Sequence, residues 1–87
     1  MSNAALLIHC PDQSGLVAEI TRFLHERSGN IVRLDEHVDH AIDRFFMRVE
    51  WQLDNFEIED KDKIRKIFDE RIGHKYNMDL DLKGFVA

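Results

Sequence analysis

The sequence has little of several residue types, and each scarcity excludes a class of protein. Its 87 residues include one cysteine, one proline and four glycines. A single cysteine, Cys10, cannot form an internal disulfide, so we expect a protein of the reducing cytoplasm and not a disulfide-stabilised secreted domain. No apolar run reaches the length of a signal sequence or a membrane span. With 44% hydrophobic residues, the chain is globular and not disordered.

Positive charge is also scarce. Twelve Lys and Arg residues stand against 17 Asp and Glu residues, and the formal net charge is −5. Nucleic acids and anionic membranes both require a basic surface, so neither is an expected partner. The length predicts one domain over residues 1–87. Such small domains have a thin stability margin and often gain stability by pairing with a copy or an adjoining domain.

The hydrophobic pattern predicts the element order β-α-β-β-α-β. Apolar or alternating runs predict strands over Ala4–Cys10, Asn30–His40, Arg44–Leu53 and Met78–Lys83. Apolar residues at helical spacing predict one helix from Leu16 to about Ser28 and another from about Glu59 to Gly73. Right-handed connections then give an α+β, ferredoxin-like fold, in which a four-stranded antiparallel sheet carries both helices on one face.

One face of this sheet is predicted to lack a cover. Alternate residues from Phe45 to Trp51 face the helices, whereas Phe46 faces away. The same alternation places Ile31 beside Phe46 on the uncovered face, and the first strand is expected to be buried on both faces. An uncovered sheet face or edge in a small domain usually meets a partner.

The loop Cys10–Gly15, between the first strand and the first helix, is a candidate ligand site. The helix N-terminus offers free N–H groups and partial positive charge to a carboxylate or phosphate. Gly15 removes a side chain there, and Asp12 can hold an ammonium group, so the loop suits a free amino acid. The alternative is that Asp12 or Ser14 only caps the helix and Gly15 only packs. At the helix end, Gly29 is the predicted left-handed cap.

Histidines and carboxylates lie close together near the end of the second predicted strand. His37, Asp39 and His40 follow Asp35, and such side chains suit zinc or a similar ion. In a strand, however, His40 points away from His37, and no cysteine lies near. Solvated strand-end side chains are therefore the favoured interpretation, and neither a metal nor a cofactor is predicted. A metal or redox sensor remains the less favoured alternative.

A self-contained active site is not predicted. Cys10 and His9 are neighbours on a strand and therefore point to opposite faces. The carboxylates near Glu57 and Asp79 indicate a solvated loop and an exposed strand face. The segment Arg44–Val49 superficially resembles the aromatic strand of RNA-recognition domains, but it lacks their glycines and belongs to an acidic chain.

A family resemblance rests on the segments Leu7–Ala18 (LIHCPDQSGLVA), Gly29–Ile31 (GNI) and Arg44–Glu50 (RFFMRVE). Together with Asp35–His37 they resemble the N-terminal ACT domain of formyltetrahydrofolate deformylase, over about residues 5–82. The resemblance implies a regulatory domain of enzymes that hydrolyse 10-formyltetrahydrofolate to tetrahydrofolate and formate, in purine and one-carbon metabolism.

In those enzymes a formyltransferase-like domain follows the ACT domain and carries the catalytic Asn, His and Asp residues. None of these catalytic residues has a counterpart in this chain, so the chain alone is expected not to be an enzyme. The apolar tail Gly84–Ala87 fits a cut just before a further domain. We therefore expect a single ACT domain over residues 1–87, without the C-terminal catalytic domain of a full-length parent.

The resemblance also implies a homodimer or higher homo-oligomer that holds a small amino acid between copies. The implied effector-binding positions are Cys10, Asp12, Gln13, Ser14, Gly15 and Leu16 of one copy, with Asn30 of the partner subunit. Cys10 and Asp12 stand where serine-binding relatives have His and Asn. For the deformylase branch, glycine or methionine-like effectors are implied by analogy. The alternatives are a purely structural dimerisation module without ligand and a stand-alone ACT sensor protein.

Overall fold

The computed structural model describes residues 2–84, and its elements follow the predicted order. The strands are β1 (Asn3–Pro11), β2 (Asn30–Asp39), β3 (Arg44–Gln52) and β4 (Asp79–Lys83), and the helices are α1 (Leu16–Glu26) and α2 (Lys61–Phe68). A π-helical turn over Asp69–Gly73 continues α2. The tail residues 85–87, on which the expected cut before a further domain depends, lie outside the described residues.

The strands form one antiparallel sheet in the order β2-β3-β1-β4. In the middle of the sheet, Ile8 of β1 pairs with Met47 on one side and with Leu80 on the other. This order is that of the ferredoxin-like fold, so the predicted α+β architecture is confirmed. Since β2 and β4 are outermost, each has one edge whose backbone N–H and C=O groups pair with no other described strand.

The core lies between the two helices and one face of the sheet. Its largest fully buried side chains include Trp51 of β3 and Phe68 of α2. The helices contribute the buried stripes that their spacing predicts: Leu16, Ile20, Phe23, Leu24, Ile64 and Phe68. The alternate residues of β3 from Phe45 to Trp51 are buried in the same core, as predicted. Burial of one such large apolar side chain stabilises the fold by about 1.5–3 kcal/mol.

β1 is buried on one face and not on both, so that prediction is wrong. Its even-numbered residues from Ala4 to Cys10 belong to the core, whereas Leu7 is half-buried and His9 is exposed on the other side. The reason is that both helices cover the same side of the sheet. We name the other side the open face; it consists of the odd-numbered residues of β1 and their cross-strand partners.

β2 contains a bulge at Val32 that changes the register predicted for its start. Ile31 pairs with Trp51, and the next paired residue is Arg33, so Val32 is an extra residue. The bulge turns Ile31 to the core side, where it packs partly buried against the core. The predicted position of Ile31 on the open face beside Phe46 is therefore wrong, because one extra residue reverses the alternation.

α1 begins after Gly15, and the predicted caps Asp12 and Ser14 do not cap it. Gly15 has φ 88°, and no side chain in the described chain caps the helix start. Only a residue that tolerates the left-handed region fits this position easily, and glycine does so at the lowest cost. The backbone N–H of Asp12 instead donates to the carbonyl of Asp43 at 2.9 Å, which holds Asp12 against the β2–β3 turn.

At the other end of α1, Ser28 and not Gly29 has the positive φ, at 64°. Ser28 N–H donates to the carbonyl of His25 at 3.1 Å, and Gly29 N–H donates to that of Leu24 at 2.8 Å. These two bonds form a Schellman motif, in which Ser28 takes the left-handed position. The prediction that Gly29 is the left-handed cap is wrong by one residue.

α2 begins close to the predicted residue and has a side-chain cap. The carboxylate of Asp60 accepts from the N–H of Asp62 at 2.9 Å. Asp60 thus satisfies one of the N–H groups that the start of a helix leaves free. Within residues 2–84, no helix is long and apolar enough to cross a membrane.

Candidate effector-binding site

The loop that follows β1 is held in place by its backbone and by Gly15. The hydrogen bond between Asp12 N–H and the Asp43 carbonyl fixes one side of the loop. On the other side, the Gly15 carbonyl accepts from Glu19 N–H at 3.1 Å, which is the first turn of α1. Gln13, Ser14 and Gly15 are exposed between these two anchors. The loop is thus a fixed, solvent-accessible entrance to the helix.

The start of α1 has the character of an anion site. No side chain within residues 2–84 caps it, so the N–H groups of its first turn remain available. Together with the positive end of the helix dipole, such N–H groups favour a carboxylate or phosphate. A Cβ atom built on Gly15 would meet nothing within 4 Å, so the space in front of the loop is open.

Two of the predicted effector-binding residues have their side chains in the core. Cys10 and Leu16 are 0% and 2% exposed. Burial raises the pKa of the Cys10 thiol, although the nearby Arg44 guanidinium opposes the shift. The thiol is therefore protonated at neutral pH, and these two residues can offer a ligand only their backbone groups. For Cys10, this burial is what the sequence favours for a lone cysteine at a strand end.

Asn30 lies at the opposite end of the sheet from this loop. It pairs with Gln52, whereas Pro11, just before the loop, pairs with Arg44. Gln52 and Arg44 are the two ends of β3, separated by about 26 Å at a rise of about 3.3 Å per residue. Asn30 Nδ2 donates to Gln52 Oε1 at 2.8 Å. One copy of the chain therefore does not bring Asn30 to the loop.

β2 carries an apolar patch that is exposed to solvent. Val32 and Leu34 are 47% and 37% exposed on this outermost strand. Beside them a groove of about 470 Å³ runs between α1 and the start of β2, lined by residues that include Thr21, His25 and Asn30. The sequence did not indicate this patch, because the alternation in β2 does not reveal that it is an outermost strand.

Phe46 lies on the open face, between two imidazole rings. Its ring centroid is 5.8 Å from that of His9 and 6.2 Å from that of His37, with the rings nearly stacked. Arg44 Nη2 lies 2.7 Å from His9 Nδ1 and 3.5 Å from Asp79 Oδ2. These contacts orient the imidazole of His9. Phe46 itself is 38% exposed.

The histidines and carboxylates near the end of β2 do not converge on one point among the described residues. His37 lies on the open face beside Phe46, whereas His40 lies in the turn after β2. Asp39 Oδ1 accepts from the N–H of Ala41 at 3.1 Å. Over residues 2–84, no three His, Cys, Asp or Glu side chains are grouped so that they can hold a metal ion.

Comparison with known proteins gives a family and several relatives. The family model of the ACT domain matches residues 4–70. A curated formyltetrahydrofolate deformylase of Synechocystis sp. is 51% identical over 55 residues, which are 63% of this chain and 19% of the relative. The deformylase of Escherichia coli is 54% identical over 41 residues, which are 47% of this chain and 15% of the relative. The chain thus spans less than a fifth of either relative.

Solved structures give the same result. A formyltetrahydrofolate deformylase of Pseudomonas syringae pv. tomato has a TM-score of 0.88 and 34% identity, over 95% of this chain and 27% of that chain. An ACT domain protein of Streptococcus pneumoniae has a TM-score of 0.79 and 23% identity, over 95% of this chain and 89% of that one. At that identity the second likeness shows the fold alone.

Proposed function

The chain belongs to the ACT domain family, and on this premise we propose that it is the regulatory and dimerisation domain of a formyltetrahydrofolate deformylase and senses a small amino acid. An ACT domain alone is not catalytic, so hydrolysis of formyltetrahydrofolate is assigned to a C-terminal catalytic domain of a longer parent protein. The relatives support this division, because the chain matches less than a fifth of the two curated deformylases described above.

The observation that carries the proposal is the uncapped start of α1 behind an exposed glycine loop. A free amino acid has a carboxylate, which the first-turn N–H groups of α1 can bind. Its ammonium group needs a carboxylate, and the half-buried Asp12 lies in the same loop. The side chains of Gln13 and Ser14 and the backbone groups of Cys10, Gly15 and Leu16 complete one half of the proposed site.

The other half of the site requires a second copy. Asn30 is about 26 Å of strand away from the loop in one copy. If two β2 strands pair edge to edge in antiparallel fashion, the start of one β2 lies beside the end of the other. Asn30 of the partner subunit then approaches the end of the sheet at which the loop lies. The same pairing covers the exposed Val32 and Leu34.

Ligand binding is tested by thermal unfolding with each free amino acid at millimolar concentration. A ligand at about ten times its Kd stabilises the native state by about 1.4 kcal/mol, which raises the Tm of a domain this small by about 6–11 °C. Asp12→Ala and Asn30→Ala should abolish the response, whereas Lys63→Ala, on the exposed side of α2, should preserve it. The absence of a response to every amino acid would refute effector binding by this chain.

The structural dimerisation module without a ligand is the second candidate, and the apolar patch on β2 favours it independently of any effector. Here the decisive variant is Leu34→Lys, which places a charge in the proposed interface and should convert a dimer to a monomer in analytical ultracentrifugation. Ile42→Lys makes the same change at a residue that is 61% exposed in the turn and should leave the dimer intact. A dimer that persists in Leu34→Lys would rule out pairing through β2.

A further inference from the structure

The middle of the open face carries two rows of side chains across the sheet. One row, the Arg48 rung, contains Asp35, Arg48, Leu7 and Asp81 from the four strands in order. The next row, the Glu50 rung, contains Arg33, Glu50, Ala5 and Lys83 in the same order. The charges read minus, plus, neutral, minus in the first rung and plus, minus, neutral, plus in the second.

Neighbouring charges of the two rungs form ion pairs along β2, β3 and β4, whereas β1 contributes the uncharged Leu7 and Ala5. Arg33 Nε lies 2.9 Å from Asp35 Oδ2, and Arg48 Nη1 lies 3.2 Å from Glu50 Oε1. On β4, Lys83 Nζ lies 3.5 Å from Asp81 Oδ2. The dipole of the pair on β3 therefore points opposite to the dipoles of the pairs on β2 and β4. When the pattern is rotated by a half-turn about an axis across the strands, each charge falls opposite a charge of the other sign.

We propose that the open face packs against the open face of a second copy, about a twofold axis that lies across the strands between the Arg48 and Glu50 rungs. This axis places each strand over the same strand of the partner, running in the opposite direction. Arg48 then faces Glu50 of the partner subunit, Asp35 faces Arg33 of the partner subunit, and the pair on β4 is matched in the same way. Each ion pair thus meets a second pair of reversed polarity.

The other twofold arrangement, with its axis along the strands between β3 and β1, is disfavoured by charge. It places β2 over β4 of the partner with the rungs aligned. Asp35 would then face Asp81 of the partner subunit, and Arg33 would face Lys83 of the partner subunit. Like charges in contact cost affinity, so the charge pattern selects the axis across the strands.

The outer rows of the open face are compatible with the proposed axis. Phe46 and Gln52 are equally distant from it, on opposite sides, as are His9 and Asn3. The exposed Phe46 ring would therefore be covered by an uncharged amide side chain of the partner. No charge of the two rungs is left without a matching charge in this arrangement.

The open face is small for a protein–protein interface. At a strand spacing of about 4.8 Å and a rise of about 3.3 Å per residue, it covers roughly 500 Å² of each copy. Both copies together bury roughly 1,000 Å², which is the lower end for specific interfaces, so a weak, reversible contact is expected. The axis crosses β2 at Leu34, in the middle of that strand, so the face contact can join two β2-paired dimers into a closed tetramer.

Charge reversal in separate copies tests the proposal. Arg48→Glu alone and Glu50→Arg alone should each weaken association through the face roughly tenfold or more, because two matched pairs per contact become like-charged. An equimolar mixture of the two variants should associate as tightly as the wild type, since the carboxylate introduced in one copy then faces the guanidinium introduced in the other. Sedimentation equilibrium at low ionic strength, in the Leu34→Lys background, isolates this contact from pairing through β2.

Two results would overturn the face contact: association of the single variants at wild-type strength, or a mixture that associates no more tightly than its components. The face contact would also be overturned if the Leu34→Lys variant, with its open face unchanged, stays monomeric up to millimolar concentration. If the β3 variants do not fold, the mixture of Asp81→Lys with Lys83→Asp makes the same test on β4, where both side chains are more than 60% exposed. Amino acid binding and β2 pairing are tested separately, so their failure and the failure of this contact are distinguishable.

Discussion

At the scale of single residues, the end of α1 shows how backbone conformation and close packing are divided between neighbours. Ser28 has the left-handed conformation, while Gly29 passes close to the helix. A Cβ atom at Gly29 would lie 2.9 Å from the carbonyl oxygen of Leu24 and 3.1 Å from a ring carbon of Phe56. The sequence indicated that the helix ends here, but it could not show which residue has the positive φ. A glycine suits both a left-handed conformation and a close approach to neighbouring backbone, so its presence does not tell the two apart.

Gly29→Ala and Ser28→Gly should therefore have opposite effects on stability. Gly29→Ala is expected to lower the free energy of unfolding by about 1–3 kcal/mol, since backbone atoms of Leu24 must move. Ser28→Gly is expected to raise it by up to about 1 kcal/mol, because glycine has no steric cost in the left-handed region. Urea denaturation of both variants measures the difference. A more harmful Ser28→Gly would contradict this account of the helix end.

Glu50 makes stability depend on pH. The hydrogen bond from Asn3 Nδ2, followed by that from Arg48, holds the pKa of the Glu50 carboxyl below its ordinary value. A carboxyl whose folded pKa is lowered stabilises the fold above its unfolded pKa, and this contribution is lost as the pH falls through the folded pKa. Glu50→Gln should therefore be less stable than the wild type at neutral pH.

The stability difference for Glu50→Gln should disappear in acid, when the wild-type carboxyl is also uncharged. Free energies of unfolding from urea titrations between neutral pH and pH values below the ordinary range of Glu measure this change at dilute, monomeric concentration. Asp54→Asn, in the loop after β3, is a control with no contact of this kind among the described residues. A difference that stays constant with pH would show that the charge of Glu50 is not the cause.

At the scale of elements, the two helices start differently, and this difference has a functional meaning. Asp60 caps α2, whereas α1 starts at Gly15 with its N–H groups available. Asp60→Ala should cost about 1 kcal/mol of stability, as the loss of an N-cap usually does. Ser14→Ala should change stability by less than about 0.5 kcal/mol, as surface substitutions away from a cap usually do. Chemical denaturation compares them, and an equal loss in both would mean that Ser14 caps α1 in solution.

The strands differ in how far their sequences predict them. In β3, apolar and polar residues alternate from Phe45 to Gln52, and every residue lies on its predicted face. In β2 the same reasoning fails at Ile31, since the bulge at Val32 is fixed by pairing with β3 and leaves no distinct local signal. Alternation thus predicts a strand and its faces where one face is buried, but an outermost strand with two exposed sides specifies its register weakly.

At the scale of the whole molecule, the candidate site depends on how copies associate. The loop Cys10–Gly15 was identifiable from sequence, because a glycine between a strand and a helix indicates a place for a ligand. The separation of this loop from Asn30 could not be identified from sequence, since it follows from the order of the strands in the sheet. The same order makes β2 an outermost strand and leaves both Leu34 and the open face available for contact with another copy.

An amide NMR titration of the protein with free amino acids tests the two-copy site most directly. We predict that one amino acid shifts the backbone signals of Gly15, Leu16 and Asn30 together, with a single Kd, and that Leu34→Lys abolishes the shift of Asn30. One ligand can contact residues at opposite ends of the sheet directly only if a second copy completes the site. Shifts confined to the surroundings of Phe46, or an Asn30 signal that still moves in the monomeric variant, would contradict it.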